Sequence, residues 1–97
     1  MYVNKKMKIN EANKIVIKIV AKILSNKVKV TKEMQLIGGN SKLDSMKLVE
    51  VCVALEDIAE EYGFEFDWTS ATTMSKSKSM FRNVNALAKE FAKQSEV

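Results

Sequence analysis

Among its 97 residues the chain has no histidine, no proline, a single cysteine and three glycines. Without histidine there is no imidazole acid or base, no histidine-based triad and no histidine-containing zinc site. The lone Cys52 excludes an internal disulfide and a four-cysteine zinc cluster, and fits a reducing compartment. The lack of proline and scarcity of glycine favour helix. Long apolar runs are missing too. Ile15 to Leu24, the most apolar early stretch, is interrupted by Lys18 and Lys22, and no small-residue cleavage site follows it. The expectation is a cytoplasmic protein with no membrane span and no signal peptide. The length suits a single domain over residues 1–97, with an ordered core over about 10–94 and looser ends at 1–8 and 95–97. Separate catalytic and cofactor domains do not fit, so an enzyme is not expected.

What is present is enough to fold. With 46% hydrophobic and 29% charged residues, the chain can fill a modest core. A domain of this size buries only roughly 60–65% of its unfolded surface, so its stability is expected to be marginal. Charge is segregated along the chain: residues 1–43 carry +8, residues 44–67 carry −7 and residues 68–97 carry +3, for a net +4. A basic chain invites a nucleic-acid reading, but the acidic block falls on the best-formed helix and would repel a phosphate backbone. The plainer reading of the lysines is a solvated face.

Residues 10–25 read as an amphipathic helix. Asn10 is the expected cap, and Ala12, Ile15, Val16, Ile19, Val20 and Ile23 recur at helical spacing. Lys14, Lys18 and Lys22 form a like-charge stripe opposite, so packing must hold this helix. Periodicity is lost from Ser25 to Leu43, a long loop with the turn-forming cluster Gly38-Gly39-Asn40-Ser41 and the anchors Val28, Val30, Met34, Leu36 and Ile37. Asp44 or Ser45 opens the strongest helix, expected to reach Tyr62 and to stop at Gly63, with Leu48, Val51, Cys52, Leu55, Ile58, Ala59 and Tyr62 facing the core.

Met46, Val49 and Val53 make a second apolar strip beside the acids Glu50, Asp57 and Glu61. A helix with two apolar faces either sits centrally in a bundle or offers one face to a partner. Phe64 to Trp68 alternates like a strand but has nothing to pair with, so it reads as an extended segment whose aromatics cover the core. Residues 70–80 have room for a short helical turn, and a last helix is expected over Asn83 to Gln94.

The candidate for chemistry is Leu43-Asp44-Ser45-Met46 at the opening of the second helix. A serine there presents its hydroxyl at the positive end of a helix dipole, where free N–H groups favour a phosphate ester. Simple N-capping explains the same pair of residues, since Ser or Asp before an apolar helix is a common local pattern. Nothing in the chain supplies a base that would activate Ser45 as a nucleophile. Any reaction at that hydroxyl must be catalysed by another protein.

The stretch Leu36-Ile37-Gly38-Gly39-Asn40-Ser41-Lys42-Leu43-Asp44-Ser45-Met46, with Leu48-Val49-Glu50 and Ala54-Leu55-Glu56 after it, resembles the acyl carrier protein family around its Asp-Ser-Leu motif. Ser79 to Ala88 is similar to the entry to the last helix in a subgroup of these carriers, and the resemblance spans about residues 10–94. It implies an all-α four-helix bundle with a long loop between helices 1 and 2 and a short third helix. It further implies that Ser45 carries 4′-phosphopantetheine, transferred from coenzyme A by a phosphopantetheinyl transferase that Asp44 helps to position. Acyl-loading and acyl-transferring enzymes would dock on Met46, Val49, Glu50, Val53, Glu56 and Asp57, and the carrier itself would be a monomer with no catalytic residue and no metal.

Lys47, the long second helix and the basic net charge depart from the acidic fatty-acid carriers and suggest a specialised, standalone carrier. The competing readings are a small helical nucleic-acid or regulatory binding protein using the lysine-rich first helix, and a carrier-like scaffold that is never modified. Cys52 is expected in the core, as are Phe66 and Trp68.

Overall fold

The computed structural model describes residues 7–37, 43–68 and 80–95, and at Ser45 the backbone alone. Those residues form three helices, α1 (Ile9–Ile23), α2 (Ser45–Tyr62) and α3 (Val84–Gln94), and no strand. The fold class is all-α. The short helix expected within 70–80 lies outside the described residues except at its last position.

α1 starts before its expected cap. Lys8 takes the N-cap position with no side-chain bond, and its carbonyl accepts from the Ala12 N–H at 2.9 Å. Asn10, the expected cap, is instead an exposed residue of the first turn. Local preference at the cap yields here to tertiary contact, because Met7 is buried just upstream and donates its N–H to Ser95 Oγ at 3.1 Å. Met7 and Ser95 thus extend the packed body to both sides of 10–94. At its other end α1 closes early, through Asn26 N–H to Ala21 O and Ser25 N–H to Lys22 O. This pair of bonds is a Schellman closure, with Ser25 and Asn26 at φ 59° and 58° in place of glycine. α2 closes the same way at Gly63, whose φ of 86° suits a residue without a Cβ.

α1 is the middle helix. It packs most extensively on α3 and next on α2. Ala12, Val16 and Val20 are buried, and Ile15, Ile17, Ile19 and Ile23 are partly covered beside them. The same position buries a polar residue that the apolar pattern does not reveal. Asn13 is 4% exposed and its amide nitrogen donates to Ile9 O and to Asn85 Oδ1 of α3, at 3.2 and 3.0 Å. With α1 in the middle, α2 lies to one side. Val51, Cys52, Leu55 and Ala59 are buried as expected, and Leu48, Ile58 and Tyr62 are partly covered.

The long loop has a specific task at the start of α3. Met34 O accepts from Val84 N–H at 3.0 Å and Lys32 O from Asn85 N–H at 2.9 Å. Asn83 caps the same turn, its Oδ1 accepting from Ala86 N–H at 2.8 Å, and forms an antiparallel bridge with Gln35. The N–H groups that a helix start leaves without partners are thus satisfied in series. Leu36 is buried, and Val30 and Met34 pack on the core; Ile37, expected as a further anchor, is exposed.

The extended segment 64–68 covers the core as its pattern predicts. The Phe64 and Phe66 rings lie 5.3 and 5.1 Å from that of Phe91, the second edge-on. The pairing that a lone strand lacks comes from Gln94, whose side-chain amide accepts from Asp67 N–H and donates to Asp67 O, at 2.6 and 2.9 Å.

Asn83→Ala is expected to cost about 1 kcal/mol, which lowers Tm by roughly 4–8 °C in a domain of this size. A thermal melt followed by circular dichroism checks this, and an unchanged Tm would contradict the role given to Asn83.

Candidate functional site

The start of α2 contrasts with that of α3. Leu43 is buried and anchors the entry, while Asp44, the next residue, is exposed. Asp44 is the N-cap: its Oδ1 accepts from Lys47 N–H at 2.8 Å and its carbonyl from Leu48 N–H at 3.0 Å. This resolves the alternative between Asp44 and Ser45 as the first residue of the turn. The Ser45 backbone occupies the first helical position, and its side chain lies outside the described residues. Among the described residues, no carbonyl from elsewhere in the chain fills this mouth as Met34 and Lys32 fill that of α3.

From this mouth runs the second apolar strip. Met46 is 73% exposed, and Val49 and Val53 are each 45% exposed. The strip lies on the side of α2 opposite Val51, Leu55 and Ala59, and follows from the lateral position of α2, since no described helix packs on it. Glu50, Glu56 and Asp57 are exposed as well.

The six residues expected to dock partners are all exposed on α2. Val49, Glu50, Val53 and Asp57 line a groove that α2 shares with α1, whereas Met46 stands beyond its end and Glu56 is not among the lining residues. The α1 wall of this groove escapes sequence reasoning. Lys18 and Lys22 on it were visible only as a charged stripe, because the register between the two helices is a tertiary fact.

Elsewhere the chemistry is quiet. Cys52 is fully buried, and burial, reinforced by the charge of Glu56, pushes its thiol up to about 12. It is a packing residue. Tyr62 donates its hydroxyl to Glu11 Oε2 at 2.7 Å, and that bond, with some burial, raises its pKa. Among the described residues there is no group of three or more metal-ligating side chains, and no helix is long and apolar enough to cross a membrane. No protein-family model, curated protein or solved structure matches the chain.

The Cys52 thiol should resist alkylation at pH 8 in the native protein and react on unfolding. Its folded value exceeds the ordinary 9.0, so the stability it contributes is present below about pH 9 and lost as pH rises toward 12. Denaturant titrations across that window should show a shallower loss of stability for Cys52→Ala than for the wild type. Equal slopes would contradict the assignment.

Proposed function

We propose that the chain is a phosphopantetheine-dependent carrier protein of the acyl carrier type, with a short helix between α2 and α3 completing a four-helix bundle. A separate phosphopantetheinyl transferase joins the Ser45 hydroxyl oxygen to the phosphate of the pantetheine arm. The bond from that phosphate to the nucleotide part of coenzyme A breaks in the same step, and the hydroxyl proton leaves with the nucleotide. The terminal thiol of 4′-phosphopantetheine then holds an acyl or aminoacyl group as a thioester for loading and transferring enzymes. The protein works as a cytoplasmic monomer with no catalysis of its own.

The observation that carries this reading is the mouth of α2, where Ser45 holds the first helical position beside an exposed Asp44 and a 73%-exposed Met46. The site suits a phosphodiester. First-turn N–H groups and the positive end of α2 favour its negative oxygens. Asp44 has the same sign as the phosphate and is committed to Lys47 N–H, so its part is not to bind the arm but to meet the incoming transferase. The exposed aliphatics beside Glu50, Glu56 and Asp57 suit brief, electrostatically steered contact with partner enzymes.

Incubation with coenzyme A and a broad-specificity phosphopantetheinyl transferase should add one phosphopantetheinyl group, read by intact mass, to the wild type and none to Ser45→Ala. A wild type that stays unmodified overturns the proposal. Asp44→Asn separates the cap from the charge, since Asn caps as well as Asp. It is expected to keep Tm within about 2 °C while slowing modification on the order of tenfold. Asp44→Ala should in addition lose about 1 kcal/mol of stability, measured by denaturant titration.

A further inference from the structure

α1 and α2 leave between them a groove of about 850 Å³ with apolar side chains on both walls, lysines on the α1 wall and carboxylates on the α2 wall. Ile19 and Ile23 line it on α1, and Ala54 and Ile58, with Val49 and Val53 on the far side of the acids, line it on α2. Lys18 and Lys22, one turn apart, rise on one side, and Glu50 and Asp57, two turns apart, on the other. The Glu11–Tyr62 bond joins the first turn of α1 to the last turn of α2, so the helices are antiparallel. Lys22 therefore stands toward the Glu50 end and Lys18 toward the Asp57 end. None of these four charges forms an ion pair with a described residue.

We infer that this groove docks an amphipathic helix of a partner protein whose apolar stripe is flanked by acidic residues on one side and basic residues on the other. The acidic flank meets Lys18 and Lys22, and the basic flank meets Glu50 and Asp57. A helix basic on both flanks is repelled by the α1 wall, and one acidic on both flanks by the α2 wall. A helix of mixed flanks entering in the reverse direction brings like charges together, so the groove selects the direction of its guest as well as its composition. Ten residues line the groove, against roughly 20–30 a side for a standard protein interface, which matches one helix better than a second copy of the chain. The inference stands on the groove alone and applies to the chain with or without an arm on Ser45.

The test uses the full chain without phosphopantetheine and three synthetic helical peptides sharing one leucine stripe. One carries Glu on one flank and Lys on the other, one Lys on both flanks and one Glu on both. Titrations followed by backbone amide shifts in NMR should show the mixed peptide binding tightest, by about threefold or more over each of the others. The shifts should map to Ile19, Ile23, Val49 and Val53. Val53→Asp, at an exposed site that does not endanger folding, should abolish binding, and Lys18→Glu with Lys22→Glu should transfer the preference to the Lys-flanked peptide. The inference is overturned if the Lys-flanked peptide binds the wild type as well as the mixed one, if no peptide binds, or if the groove shifts arise from self-association with increasing protein concentration. Because modification of Ser45 plays no part, failure here leaves the carrier proposal standing, and an unmodifiable Ser45 leaves this one standing.

Discussion

Two carbonyls, Met34 O and Lys32 O, hold the first turn of α3, and the position of everything else depends on how that turn is satisfied. A buried helix start cannot leave its N–H groups without partners, and each one lost costs about 1–3 kcal/mol. Here a segment remote in sequence supplies the acceptors, Asn83 supplies the cap, and Gln35 bridges to Asn83 behind them. The loop between α1 and α2 is therefore tied to α3 at its middle. That tie fixes where α3 lies on α1 and leaves α2 to pack on the other flank of the same helix.

From this arrangement comes the difference between the two helix mouths. The start of α3 is closed by the chain's own backbone, while that of α2 has an exposed carboxylate and, two residues on, an exposed methionine. The lateral place of α2 also accounts for its second apolar face: with α1 between α2 and α3, the strip of Met46, Val49 and Val53 has no described helix to cover it. Exposed aliphatics beside carboxylates give weak, reversible adhesion that ionic strength can tune.

Elements governed by neighbours in sequence were legible. The span of α2, its stop at Gly63 and the core stripe ending at Tyr62 follow from periodicity and the left-handed preference of glycine, whereas a helix apolar on two sides left open whether Met46, Val49 and Val53 are packed or exposed, and the lateral place of α2 exposes them. What failed did so where distant residues decide. Asn10 resembles a cap, yet the chain enters α1 two residues earlier because Met7 is held at Ser95. Nothing in the sequence signals that Asn13 is buried against Asn85 or that Gln94 pairs with the Asp67 backbone. The α1 wall of the groove is hidden for the same reason, since a register between helices is written in neither helix alone.

α1 has its most extensive contacts with α3, the helix farthest from it along the described chain. As the chain leaves the ribosome, Val16, Val20 and their neighbours on α1 must wait for Leu87 and Phe91 before their apolar side is fully covered. Local helix can form early, but the tertiary lock closes only after α3 has emerged, and until then the nascent protein shows the valine-bearing side of α1 to chaperones and to other unfinished chains.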